Sequence, residues 1–213
     1  MYPEFPVSGG LPGGLKKERE SHPATHYTAL PDPSDPPFQS VIYQWEFPMS
    51  MYASSIPAAI RCLNNLSAIL AKGAAFCEEK GIEGTVLTSA RLAPDMFPLA
   101  RQVQIACDSA KGCGARLSGT EAPKHEDNET TFEELQARIK KTVSFLETLK
   151  PASIDGTEDK EIKFKAGPYE LEFTGQSYLC TFVLPNLYFH TTTAYNILRH
   201  NGVAIGKMDY LGK

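Results

Sequence analysis

Tryptophan occurs once in the 213 residues, histidine five times, and no stretch carries a basic run. The formal net charge of −4 and a pI near 5.8 argue against a nucleic-acid partner, because holding a phosphate backbone takes a basic face that displaces its counterions. No apolar run approaches the roughly 18 residues needed to cross a bilayer, and the N-terminus lacks the charged-then-apolar layout of a secretory signal. No membrane partner is expected, and the chain reads as cytoplasmic. Cys62, Cys77, Cys107, Cys113 and Cys180 show no C-x-x-C spacing. Most fall in helical patterns among apolar residues, where a free thiol acts as a small hydrophobe, so they are expected to be reduced. A Gly-rich phosphate loop, a G-x-S-x-G elbow and an H-E-x-x-H pair are all missing, which disfavours nucleotide-dependent and standard hydrolase chemistry.

Proline is plentiful but lopsided: nine of the sixteen lie in residues 1–48, together with Gly-Gly pairs at 9–10 and 13–14. Such a segment, with no sustained apolar period, cannot bury enough surface to offset its chain entropy. Residues 1–48 are therefore expected to be a mostly disordered extension, with Val41–Trp45 as the one piece able to dock, and residues 49–213 a single domain. That domain holds 18 of the 21 basic and 19 of the 25 acidic residues, close to neutrality.

From Met51 the pattern turns helical. Ser54 or Ser55 is the expected N-cap, Pro57 sits in the first turn, and Ile56, Ile60, Leu63, Leu66 and Leu70 form a buried stripe that ends near Lys80-Gly81. A second helix is predicted over Asp95–Leu117, its small residues Ala106, Cys107, Ala110, Cys113 and Gly114 implying a close helix–helix approach. A polar turn, Gly119 to Asn128, follows. Thr131 and Glu134 then fit a capping box for a third helix, with Phe132, Leu135, Ile139, Val143, Leu146 and Leu149 on its inner face. Glu161–Lys165 and Tyr169–Phe173 alternate and set lysines opposite glutamates, the pattern of a hairpin with one wet face.

The last long segment, Gly175 to Gly202, places Leu179, Phe182, Val183, Asn186, His190, Thr193 and Ile197 on one helical face and Leu184, Leu187, Tyr188, Tyr195 and Leu198 on an adjacent one. This reads as a buried fourth helix closed by Asn201-Gly202. Asn186, His190 and Thr193 form a polar island in it that must be hydrogen-bonded or bind something. The order helix, helix, helix, hairpin, helix predicts a mainly α protein, an up-down four-helix bundle with a small β-hairpin between the third and fourth helices.

Met49-Ser-Met-Tyr52, the motif Leu92-Ala-Pro-Asp-Met-Phe-Pro-Leu-Ala-Arg-Gln-Val-Gln104 followed by Ala106-Cys-Asp108, the hairpin, and Phe189-His-Thr-Thr-Thr-Ala-Tyr195 with Arg199-His-Asn-Gly-Val203 resemble the DUF1993 family of uncharacterised proteins, placed in the DinB/YfiT-like superfamily of four-helix bundles. The resemblance spans Met49 to Gly212. It implies the bundle fold and a tendency to form homodimers. It also brings an expectation about metal, since many members of that superfamily hold a divalent ion with one histidine on the second helix and a pair four apart on the fourth. This chain departs from that pattern. Asn186 and Ala194 flank His190 at four residues, the second helix has no histidine, and His200 lies about 15 Å further along an ideal helix. No cofactor is expected, with a weak oxygen-rich metal site at His190, Asp108 and Asn186 as the alternative.

For His190, two readings stand. It is a core histidine satisfied by Asp108, Gln102 or a tyrosine, or it pairs with Asp108 across the bundle as an acid/base couple lining a cavity. Gln102, Asn186, Thr193, Tyr195 and Asp95 complete the candidate binding set, although Asp95 also suits a helix cap and Tyr195 and Tyr188 suit packing. His22, His26 and His125 fall in polar segments and are expected to be solvated, and Cys107 and Cys180 lack a cationic neighbour that would activate them. Two function classes follow: a small-molecule binder or proton-transfer enzyme for isomerisation, dehydration or cyclisation, and a non-enzymatic dimeric scaffold. A cavity of about 300 Å³ touching His190 would favour the first.

Overall fold

Ser50 starts the first helix: its hydroxyl accepts a hydrogen bond from the amide of Ala53 at 3.0 Å. The computed structural model describes residues 50–212, so the expected extension over residues 1–48 and its docking piece Val41–Trp45 lie outside it. Helix α1, Met51–Lys80, therefore begins a turn earlier than the serines at 54 and 55 suggested. Ser55 instead bonds back to the Met51 carbonyl at 2.5 Å. Pro57, displaced from the first turn, sits on the exposed side, where water can satisfy the carbonyl it leaves without a donor. Gly81 ends the helix at φ 65°, the left-handed cap that an L side chain resists.

A short helix α2, Gly84–Thr88, precedes α3, Leu99–Ser118. The predicted start at Asp95 is overturned: Pro98 stands at the cap position, no side chain caps the helix, and Asp95 is exposed in the preceding loop. Helix α4, Phe132–Thr148, carries the predicted capping box of Thr131 and Glu134, and all six inner-face residues read from the sequence are buried. Each such aliphatic or aromatic side chain contributes about 1.5–3 kcal/mol by leaving water.

Strands β1, Glu161–Ala166, and β2, Tyr169–Thr174, pair antiparallel with Lys163 opposite Glu172 and Lys165 opposite Glu170. On the other face Phe164 and Phe173 join Tyr178 and Phe182 in an aromatic cluster, and the Arg116 guanidinium lies 4.1 Å over the Phe164 ring. The chain continues through α5, Gly175–Ser177, a π-helical stretch, Tyr178–Val183, and α6, Leu184–His200. Proline at 185 has no amide to give the Thr181 carbonyl, and the wide turn lies directly before it. A final helix α7, Lys207–Leu211, is clipped to α1 by Arg61, which donates from Nε and Nη2 to the Leu211 carbonyl at 3.2 and 3.0 Å.

The predicted bundle of four long helices with an inserted hairpin is what the chain forms. Its helix directions carry a feature that the up-down reading did not contain. Gln102 meets His190 and Arg116 meets Tyr178, so α3 and α6 are antiparallel. Asp108 meets Arg138 whereas Gly114 lies against Leu146 and Leu149, so α3 and α4 run parallel. A Cβ at Gly114 would come within 2.6 Å of Leu149, the close approach that the small residues implied. A parallel neighbour requires the connection to return along the whole of α3, about 30 Å. Residues 120–131 can make that crossing, since a dozen extended residues reach about 40 Å. This strap descends along α4, with the Lys124 carbonyl on Lys141, His125 on Thr142, Asp127 and Glu129 on Arg138, and Thr131 on Glu134.

Candidate functional site

Burial along the fourth long helix follows Tyr178, Leu179, Val183, Leu187, His190, Thr191, Thr193, Ala194, Ile197 and Leu198. The steps of four across the π stretch rotate the later residues relative to a single α-helical wheel. Leu187 thereby enters the core, and Asn186, assigned to the inner face from the sequence, is only half-buried. The helix is also not buried all round, because Tyr188 and Phe189 are exposed. The polar island dissolves into local bonds: the Asn186 amide donates to the Phe182 carbonyl at 2.6 Å, and the Thr193 hydroxyl donates to that of Phe189 at 2.7 Å.

His190 is the exception. The residue is 8% exposed, and its ring Nδ1 lies 2.7 Å from Oε1 of the buried Gln102 on α3. Gln102 spends its own amide hydrogen on the Phe97 carbonyl at 3.0 Å, which leaves Oε1 as the acceptor and places the ring proton on Nδ1. Nε2 then carries the lone pair and has no partner among the described residues. It is not sealed away either, because Nε of Arg138 is the one described side-chain nitrogen or oxygen that is both fully buried and unpaired. Burial, with the Arg101 charge as a smaller contribution, pulls the His190 pKa down to about 4, so the ring is neutral at pH 7. Phe189 meets it edge-on at 5.1 Å. Phe97 and Phe189 are themselves 55% and 56% exposed.

The expected couple of His190 and Asp108 does not form. Asp108 lies six residues, one full turn and some 240° more, along α3 from Gln102, facing α4, where its carboxylate takes Nη2 of Arg138 at 2.7 Å and Nζ of Lys111 at 2.9 Å. Arg138 is the hub of a cluster that sequence reasoning passed over. Its buried guanidinium also donates to the Gln104 carbonyl, to Asp127 at 2.7 Å and to Glu129 at 3.0 Å. Burial works against ionisation of Asp127 and Glu129, but hydrogen bonds from Arg101 and then Arg138 at Asp127, and from Arg138 at Glu129, hold both carboxyls below their ordinary values. Asp127 adopts φ 55° to reach the hub. A signal was available: Arg138 and Thr142 interrupt the stripe Leu135-Ile139-Val143-Leu146, and a charge at a stripe position implies partners brought to it. His125, expected to be solvated, is half-buried on this strap, and burial together with Arg138, Lys111 and Lys141 lowers its pKa to about 4.

The remaining candidates are dispersed. Tyr195 packs against Tyr210 of α7, and Asp95 caps nothing. Four surface hollows of 310–530 Å³ lie on α2 and the strap, on the hairpin, and along the seam of α1 with α4; none of these is lined by His190, Gln102 or Asp108. The enclosed chamber expected between the second and fourth long helices is not among them. Cys107, buried between Arg138 and Thr142, has its thiol pushed up to about 12 by burial.

The metal arrangement implied by the superfamily does not fit these residues. His190 stands without a second imidazole, Asn186 turns its amide to its own helix, and Asp108 is committed to two cations. Among the described residues no group of three His, Cys, Asp or Glu side chains converges to hold an ion. No described helix is long and apolar enough to cross a membrane.

Compared with known proteins, residues 51–211 match the family described as a domain of unknown function, DUF1993. The crystal structure of a DinB family member protein from Shewanella denitrificans is 45% identical in sequence and superposes with a TM-score of 0.69, covering 76% of this chain and 92% of that one. No curated protein matches.

Proposed function

Because the chain belongs to the DUF1993 family, a description that carries no activity, we propose its function from the site itself: it binds a small organic molecule at His190, on the surface between α3 and α6. The observation that carries this reading is a buried imidazole fixed in one orientation by Gln102, with an acceptor nitrogen that has no partner among the described residues and is not sealed from water, beside the exposed phenyl ring of Phe189. A ligand with an O–H or N–H donor on an apolar frame meets both features, the donor on Nε2 and the frame on Phe189.

Binding is favoured over proton transfer. A carboxylate behind an imidazole raises its basicity, whereas the neutral Gln102 does not, and a base near pKa 4 is poorly matched to proton abstraction at neutral pH.

The test is a ligand-observed NMR screen of donor-bearing aromatic fragments against the wild type and His190→Asn. Fragments that bind the wild type and lose their signal on the variant are expected. A screen in which every binder tolerates His190→Asn would overturn the assignment.

A further inference from the structure

Two of the surface hollows form one trough. The hollow of 530 Å³ on the seam of α1 with α4 and the hollow of 490 Å³ where α1 gives way to α2 share Ala74, Glu78, Phe132 and Glu133. From Ala71 to Gly81 the trough follows α1 for about 15 Å. Its lining is apolar along that length: Phe132 is buried, Ala71 and Ala75 stand exposed on one face of α1, and Ile82, 37% exposed, lines it beyond the Gly81 cap. Every charged side chain in the lining is a glutamate, Glu78, Glu83 or Glu133. None of these carboxylates has a hydrogen-bonding or ionic partner among the described residues. Their neighbours in sequence are engaged, Glu79 with Lys80 and Glu134 in the capping box of α4.

Uncompensated negative charge around an apolar trough, in a domain close to neutrality overall, is complementary to a cation that carries apolar surface. We propose that the trough is a docking surface for a segment of another protein, an amphipathic helix that lays small aliphatic residues along the alanines and Phe132 and sets lysine or arginine against Glu78, Glu83 and Glu133. The single methyl groups of Ala71, Ala74 and Ala75 let a third helix approach α1 and α4 closely. A small amine would meet the carboxylates and leave the stretch along Ala71 and Ala75 bare, whereas three turns of helix, about 16 Å, span both. A second copy of this chain laid on the same face would bring the same carboxylates and no cation. Nucleic acid and anionic lipid are repelled by that charge. The docking surface is separate from the ligand site, since His190 lines neither hollow.

The test pans a displayed library of random peptides, roughly 16 residues long so that a helix could span the trough, against the full chain. Enriched sequences are then made synthetically and titrated by fluorescence anisotropy into the wild type, the triple variant Glu78→Gln/Glu83→Gln/Glu133→Gln, and Ala75→Gln. All these positions are exposed, so the variants should melt with the wild type; if Ala75→Gln does not fold, Ala71→Gln takes its place. Enriched peptides are expected to carry lysine or arginine beside aliphatic residues at helical spacing. The triple variant should weaken them at least about tenfold, and so should Ala75→Gln, which fills the trough without changing its charge. High salt should weaken binding to the wild type as well. Failure to enrich basic peptides, affinity unchanged by the triple variant, or a loss on the triple variant that Ala75→Gln does not share would each overturn the inference. Spermine binding as tightly as the peptides, or a dimer that the triple variant dissolves, would also overturn it, by giving the trough to a small amine or to a second copy.

Discussion

Replacing Arg138 by Met keeps the bulk of the side chain and removes the cation on which the strap is hung. Four acceptors lose their donor: Asp108, Asp127, Glu129 and the Gln104 carbonyl. Breaking a buried ion pair by deleting one partner costs about 3–5 kcal/mol, because the other charge is left stranded. The three carboxylates are not equally stranded. Asp108 and Asp127 are 33% and 40% exposed and retain Lys111 and Arg101, so water and those cations take up much of the loss. Glu129, 12% exposed, keeps no cation, only the Gln104 amide and its own backbone N–H, and must rehydrate by lifting residues 124–131 off α4. The expected cost of Arg138→Met is therefore roughly 2–4 kcal/mol, or about 5–15 °C in Tm for a domain of this size. Urea denaturation at pH 7 reads the global term, and hydrogen–deuterium exchange over residues 120–131 reads the local one, where protection should fall more than in α1. The acid limb should change as well. Asp127 and Glu129 have native pKa values below their unfolded ones, so their contribution is complete above the ordinary carboxylate range and lost as pH falls through the native values. Without Arg138 that limb flattens. A variant within about 0.5 kcal/mol of wild type with unchanged strap protection would refute the hub and leave the strap to Lys141 and the capping box.

His190→Ala strands Gln102 Oε1 and opens a hole that water can partly fill from the Nε2 side, for a loss of about 2–3 kcal/mol. The double variant with Gln102→Ala should cost less than the sum of the singles, and strict additivity would show that the 2.7 Å contact carries no coupling. Stability should also fall between pH 6.5 and about 4, where the unfolded chain protonates His190 and His125 and the native chain does not. The His190 contribution is full above pH 6.5 and gone below about 4, worth roughly 1–2 kcal/mol once its open edge is allowed for; urea titrations of wild type and His190→Gln across that window test it. Among the cysteines, exposed Cys180 should react rapidly with a thiol reagent in the native state. Cys107 and Cys113, buried and pushed up to about 12, should react only on unfolding; early modification of either, mapped by mass spectrometry, would contradict their burial.

Periodicity alone determined the elements of this protein. The inner face of α4, its Thr131–Glu134 box, the small-residue face of α3 and the lysine–glutamate register of the hairpin are local patterns, in which each residue's role depends on neighbours three, four or two positions away. Single turns escaped that reading where two caps competed, Ser50 with Ser54 and Ser55, or where Pro98 delayed a helix that Asp95 seemed to open. The π stretch before Pro185 escaped it because one widened turn rephases everything after it, moving Asn186 outward and Leu187 in. Tertiary structure alone decided that α3 and α4 run parallel, and from that direction the rest follows. A parallel pair needs a strap, the strap needs an anchor, and Arg138 draws Asp108 to itself, away from His190. Gln102 is left as the partner of the imidazole, and the choice between two residues on one helix was settled by a third on another. No spacing within a single helix encodes that outcome, since it depends on which faces meet across the bundle.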